Sequence, residues 1–273
     1  MAEAGFYGAS EGLWPYINRE KASYVWLAGK EDCKRRESME SIRLNKYLSE
    51  KGICSRREAD ALTEAGQITV NGIPAVMGQK VTDRDEILIR GRSISKKKPE
   101  KVILAVNKPV GVVCTTRSFP GEENIIEMVD YETRLYPVGR LDKDSQGLIF
   151  LTNDGAFAEE VTRASGNHEK EYEVTVNKAV TEEFIRRLSK GIYLKDLNRR
   201  TKSCKVLASG ERKFKITLTQ GLNRQIRRMC ETCGYEVVTL KRIRIMNVEL
   251  GNLKERAFRK LEGPELKTLL RQL

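Results

Sequence analysis

The chain reads as an α+β protein in two parts: a small domain of helices and a hairpin, then a larger domain on a mixed, mostly antiparallel sheet. Three observations predict this. From Ile42 two short helical patterns lead into an Asn71-Gly72 turn flanked by apolar residues, the commonest short signal for a hairpin. Beyond Val102, apolar residues alternate at period two in several segments, most cleanly in KFKITLTQG at 213–221. Between those segments lie amphipathic helical stretches with caps and glycine stops, so neither helix nor strand dominates.

Residues 1–41 form an N-terminal extension. It holds both tryptophans, Trp14 and Trp26, shows no periodicity, and runs through EDCKRRES to Met39. Either Met39 is the natural initiator or the segment is a loosely attached extension. RLNKYLSEKG (43–52) predicts a helix with Leu44, Tyr47 and Leu48 on one face and Gly52 as its stop. Ser55 to Glu58 fits a capping box, and the helix it opens runs to about Ala65 and closes at Gly66. QITVNGIPA and EILIRG supply the hairpin and a further strand, which completes a small domain over 42–92. SISKKKPEK (93–101) lacks apolar periodicity and reads as a linker to the larger domain, 102–273.

Within that domain TVNKAVTEEFIRRLSKGI (175–192) predicts a helix capped by Thr181, with Phe184, Ile185 and Leu188 inward and Gly191 ending it. KFKITLTQG turns Phe214, Ile216 and Leu218 to one side, as a half-buried strand does. LNRQIRRMCETCG (222–234) then switches to helical spacing. Ile226, Met229, Cys230 and Cys233 form its apolar stripe, and Arg224, Arg227 and Arg228 share another side.

Charge narrows the partners. The formal net charge is +12, and a positive excess attracts polyanions. Residues 1–38 carry six basic and six acidic side chains, so the whole excess lies beyond them. No apolar run approaches the roughly 20 residues of a membrane span, and no signal-peptide core opens the chain. A cytoplasmic monomer without an obligate protein partner is expected. Six scattered cysteines suit a reducing compartment, and the one C-x-x-C, Cys230 and Cys233, lacks a second ligand pair for zinc. The lone histidine, His168, anchors neither a triad nor a metal. No metal and no cofactor are expected, since glycine-rich nucleotide loops are missing as well.

The stretch GRLDKDSQGLIFL (139–151) places Asp142 between two strand-like runs, with Arg140 ahead and Gly147 behind. An acid on a short loop at a strand end is well placed to meet a substrate. Asp144 lies two residues on, so either carboxylate can be the reactive one. DKDSQG is also a near miss to a calcium loop, which needs a Glu at position twelve, here Asn153, and helices on both sides. A plain turn, with the Asp side chains bonding their own backbone, is the third option.

GRLDKDSQGLIFLTNDG resembles the signature of the RNA pseudouridine synthases, in the form used by the RsuA/RluB/RluE/RluF branch. VNKPVGVVCT (106–115), HEKEYEVTV (168–176) and GLNRQIRRM (221–229) resemble the family's other motifs, in the same order. The helices and hairpin at 42–92 resemble the small S4-type RNA-binding module. Its basic residues Arg43, Lys46, Arg56 and Arg57 stand near helix starts, where they hold phosphates or form a solvated charged face.

The resemblance implies isomerisation of uridine to pseudouridine in folded RNA: ribosomal RNA of the large subunit first, small-subunit or transfer RNA as alternatives. The reaction exchanges a C–N for a C–C bond with no redox change and no group donor, so it needs no cofactor. The uridine must first leave its stack. Asp142 is implied as the nucleophile, or as the base that starts glycal formation. Arg227 is implied as its ionic partner, by its place in the QIR triplet, and Tyr172 as the residue stacked on the flipped base. Strand phase alone places Tyr172 in register with Val174 and Val176, where a core tyrosine also sits. Lys108, Arg140, Arg224 and Arg228 complete the expected RNA contacts. Two other classes compete: a non-catalytic RNA-binding assembly factor, for which charge and module suffice, and an RNA methyltransferase, which lacks support without a glycine-rich turn.

Overall fold

The computed structural model describes residues 41–95 and 99–273, and these divide into two compact units, one of residues 41–47 and 56–94, the other of residues 48–55 and 95–273. The expectations for Trp14, Trp26 and Met39, and for the middle of the linker, lie outside the described residues.

β1 (Ile42–Arg43) runs straight into α1 (Leu44–Glu50), followed by α2 (Arg56–Glu64). Leu44, Tyr47 and Leu48 are buried, as the spacing requires. β2 (Ile68–Val70) and β3 (Ile73–Pro74) pair across Asn71 and Gly72, both at positive φ (53° and 80°), the conformation a two-residue hairpin demands. The Asn71 side chain fixes the turn: its amide donates to Asp85, and its carbonyl accepts from the Glu86 amide, each at 2.8 Å. β4 (Lys80–Val81) pairs with β1, a match the sequence pattern did not announce. β5 (Ile87–Ile89) and β6 (Arg92–Ser93) complete a four-stranded sheet ordered β3-β2-β5-β6.

The larger unit begins with β7 (Ile103–Lys108), buried along its whole length, and α3 (Ile125–Val129). Then come β8 (Tyr136–Val138), β9 (Gln146–Thr152), α4 (Gly155–Thr162) and β10 (Lys170–Val176). α5 (Glu182–Ser189) follows, capped by Thr181, whose hydroxyl accepts from the Phe184 amide at 3.1 Å. β11 (Tyr193–Leu194) and β12 (Arg199–Arg200) form a small pair; β13 (Lys205–Gly210) and β14 (Lys213–Leu218) form a hairpin. α6 (Gln225–Thr232), β15 (Val237–Ile245), β16 (Val248–Glu249), β17 (Phe258–Lys260) and α7 (Gly263–Arg271) end the chain.

These strands build one sheet ordered β13-β14-β10-β15-β9-β7-β17, with β16 on β15 and β8 on β9. Every pairing is antiparallel except β9 with β15, which meet in parallel at only two registers, Gln146 with Lys241 and Gly147 with Arg242. This short seam divides the sheet into halves with separate cores. One half buries Val174, Phe184, Leu188, Phe214, Ile216 and Met229 beneath α5 and α6. The other is covered on both faces, by Phe150, Phe157 and Leu269 on one and Leu104, Ile125 and Leu151 on the other. Each such buried side chain contributes roughly 1.5–3 kcal/mol. Tyr172 packs against a core on each side of the seam.

Gly147 makes the seam possible. Its φ is +105°, and a Cβ there would lie 2.3 Å from the Arg242 carbonyl oxygen and 2.7 Å from its amide nitrogen. No other residue lets the two strands approach so closely.

Candidate active site

The loop 139–145 enters from β8 and leaves into β9, so strands flank it, unlike the helices of a calcium loop. Asn153, at the twelfth position, bonds backbone instead: its carbonyl accepts from Val102 and its amide donates to Glu100. A turn closes the loop through the Ser145 amide and the Asp142 carbonyl at 3.1 Å. The segment after β7 staples it from below. The Gly111 amide donates to the Lys143 carbonyl at 2.8 Å, and the Leu141 amide donates to Cys114 Sγ at 3.4 Å.

Lys108 is the heart of that staple, which corrects the expectation of an RNA contact. It is 0% exposed, and its ammonium donates to the carbonyls of Pro109 (2.7 Å) and Val112 (2.8 Å). A cation enclosed in this way cannot meet a phosphate. Burial pushes its pKa down, while Cys114, Asp144 and Asp142 oppose that push.

Asp142, Arg140, Tyr172 and Arg224 line one cavity of about 360 Å³, within the size range of small-molecule sites. The two carboxylates differ in their surroundings. Asp144 accepts a two-pronged pair from Arg224, at 2.9 and 3.1 Å. Arg227 Nε lies 3.2 Å from Asp144 Oδ2, out of line for a hydrogen bond and so an ion pair only. These arginines hold the Asp144 carboxyl below the usual range; the Arg224 hydrogen bonds are the largest cause. Among the described residues the Asp142 carboxylate has a single, looser partner, Arg224 Nη1 at 3.9 Å.

The expected Arg227–Asp142 pair is therefore not the one found. Helical spacing groups Arg227 with Arg224 and Arg228, yet Arg227 is 8% exposed and turns inward. Two carbonyls draw it there: Nη2 donates to Asp144 (2.8 Å) and Nη1 to Val237 (3.1 Å). Arg224 occupies the N-cap of α6 at φ 49°, which swings its guanidinium toward the loop. Arg228 is tied to Asp196 at 2.6 Å and does not line the cavity. In the smaller unit Arg43, Lys46, Arg56 and Arg57 are all exposed.

Three cavity residues escaped the sequence reading. Arg242 is 3% exposed; its Nε donates to the Leu148 carbonyl at 2.6 Å, its Nη2 has no partner among the described residues, and its guanidinium stands 6.0 Å from the Tyr172 ring centre. Strand phase carried the signal, since Arg242 is in step with buried Leu240. Lys170 lies two residues before Tyr172 on β10 and so shares its face. Gln225 is buried, and its side-chain carbonyl accepts from the Leu222 amide, fixing the approach to α6.

Residues 102–232 match the family described as RNA pseudouridylate synthase, and residues 42–87 match the S4 domain. The chain is 52% identical over 228 residues to the dual-specificity RNA pseudouridine synthase RluF of Escherichia coli K12, covering 83% of this chain and 77% of that protein. It is 34% identical over 233 residues to the ribosomal large subunit pseudouridine synthase B of Bacillus subtilis, covering 83% and 95%. A crystal structure of a pseudouridylate synthase superposes with a TM-score of 0.63 at 29% identity, covering 84% of this chain and all of that one.

Proposed function

The chain belongs to the RNA pseudouridylate synthase family, and we propose that it isomerises a uridine of large-subunit ribosomal RNA with Asp142 as the reacting carboxylate. Family membership removes the non-catalytic and methyl-transfer alternatives. The observation that carries the choice of Asp142 is the division of labour between two acids. Asp144 is saturated by Arg224 and Arg227, whereas Asp142 faces the cavity with one guanidinium 3.9 Å away. A carboxylate kept ionised by a nearby cation, yet not fully bound by it, keeps its lone pairs for chemistry.

The target uridine leaves its stack and enters the cavity beside Tyr172. Asp142 attacks C1′, or removes the C2′ proton, as the C1′–N1 bond breaks. The uracil turns in place, C5 bonds to C1′, the C5 proton departs and N1 gains one. Tyr172, backed by Arg242, supplies the flat wall on which the base turns. Arg140 and Arg224 at the cavity rim hold the flanking phosphates. The 42–92 unit docks RNA through Arg43, Lys46, Arg56 and Arg57, and the chain works in the cytoplasm as a monomer.

The similarity to a ribosomal large subunit pseudouridine synthase supports ribosomal RNA, and transfer RNA stands as the second candidate. The test is Asp142→Asn with pseudouridine mapping. The purified variant should form no product on ribosomal RNA from cells lacking the gene, with RNA affinity within a few-fold of the parent. Parental activity in the variant removes Asp142 from the mechanism. A parent enzyme that forms pseudouridine in transfer RNA but not in ribosomal RNA from the same cells overturns the ribosomal assignment.

A further inference from the structure

Lys170 lines the same cavity as Asp142 and has no task in the scheme above. It sits on the face of β10 that carries Tyr172, and Tyr172 is in register with Arg242 on β15. The three residues thus form one wall at the seam. Among the described residues Lys170 Nζ makes a single hydrogen bond, to the His168 carbonyl at 3.2 Å. No carboxylate pairs with it among the described residues. Its neighbours Glu169 and Glu171 are both taken by Arg244, at 3.0 and 2.9 Å. A half-desolvated ammonium without a counter-ion is costly to keep unless an anion arrives. Burial, with the Arg242 charge adding to it, brings its pKa down to about 8, so it remains mostly protonated at neutral pH.

We propose that Lys170 is a further catalytic residue, whose ammonium contacts a carbonyl oxygen of the uracil and stabilises the charge that collects there as the base detaches. When C1′–N1 breaks, the bonding pair leaves with the pyrimidine, and its negative charge spreads over N1, O2 and O4. A cation fixed in a cavity meets that charge without reorganising, which makes the stabilisation largest in the transition state. Lys170 gains and loses no proton; the C5 proton and the N1 proton move as described above, and nothing is oxidised or reduced. Arg242 lines the same wall with its Nε spent on Leu148 and its guanidinium 6.0 Å from the Tyr172 ring centre, and is assigned to backing that ring.

The inference rests on the reading that the cavity around Asp142 is the active site. Its test compares Lys170→Met and Lys170→Arg with Asp142→Asn, on RNA carrying uridine or 5-fluorouridine at the target. Fluorine withdraws electrons and makes the pyrimidine a better leaving anion, so the need for the lysine falls. On uridine Lys170→Met should lose about 100-fold in single-turnover rate, the cost of removing one preorganised donor, with RNA affinity within a few-fold. With 5-fluorouridine the deficit in its consumption should shrink at least about tenfold. A full rate on uridine, or an equal deficit on both substrates, overturns the proposal. Should Lys170→Met fail to fold, the pH profile decides. The charged and titratable groups that line the cavity with Lys170 are Arg140, Asp142, Arg163, Tyr172, Arg224 and Arg242, and Lys170 itself titrates at about 8. The parental rate should therefore fall as pH rises through about 8, while Lys170→Arg keeps its rate. The same alkaline fall in Lys170→Arg overturns the proposal. An active Asp142→Asn means the site reading has failed; an inactive one beside a full-rate Lys170→Met means this inference alone has failed.

Discussion

Replacing Asp144 by Asn should damage both stability and rate. The half-exposed Arg224–Asp144 pair contributes up to about 1 kcal/mol, at the upper end for a surface pair because it is two-pronged. Arg227 is nearly buried and loses its charge partner but keeps two carbonyls, so its share is about 1–2 kcal/mol. Together these predict a fall in Tm of roughly 2–12 °C. The rate should fall as well. Arg224, released from Asp144, is already 3.9 Å from Asp142 and closes on it, displacing the reacting carboxylate. A misplacement of about 1 Å can cost on the order of 100-fold, so a loss of about 10- to 100-fold is expected with little change in RNA affinity. Tritium released from C5-labelled uridine under single-turnover conditions measures the rate, and thermal melts at several pH values measure the stability. The sign with pH follows from the depressed pKa of Asp144. Its stabilisation is fully present above the ordinary value of 3.8 and is lost as pH falls through the lower folded value. The stability gap between the Asp144→Asn variant and the parent should therefore narrow in acid. A variant with the parental rate and the parental Tm would refute the role assigned to Asp144.

Two other predictions separate docking from architecture. Arg56→Ala combined with Arg57→Ala should weaken RNA binding and reduce the slope of log affinity against log salt by up to about two, with the rate at saturating RNA unchanged. A loss of rate at unchanged affinity contradicts this. Lys108→Met should do the reverse of a phosphate contact: the orphaned Pro109 and Val112 carbonyls cost about 2–4 kcal/mol in stability, while the salt slope stays parental. A reduced slope at parental stability would return Lys108 to the RNA interface.

Local pattern made much of the fold legible. Phe214, Ile216 and Leu218 announced β14 because one face of a strand must be apolar, and Thr181 announced α5 because free amides need an acceptor. Asn71-Gly72 announced its hairpin through the positive φ that few other residues accept. What stayed hidden depends on distant partners. Helical spacing gave Arg227 an outward place, and only the Asp144 and Val237 carbonyls, from other elements, reverse it. Lys108 reads as a surface cation until two carbonyls of its own turn enclose it. The pairing of β1 with β4 and of β9 with β15 joins strands too short or too distant to show in local periodicity. Lys170 and Arg242 were within reach, since each is in phase with residues that face the cavity or core.

The short parallel seam also bears on how the protein acquires its activity as it folds. The β13–β14 hairpin closes between neighbours, whereas β9 and β15 join Gln146 to Lys241, 95 residues apart (241 − 146). Contacts of such long range form slowly, because loop closure must precede any reward. Asp142 belongs to one side of that junction, and Lys170, Tyr172 and Arg242 to the other. No partly assembled chain holds a working cavity, and Arg242 gains its acceptor at Leu148 only as the junction forms. Recovery of activity during refolding should therefore follow the slowest phase, with no early burst.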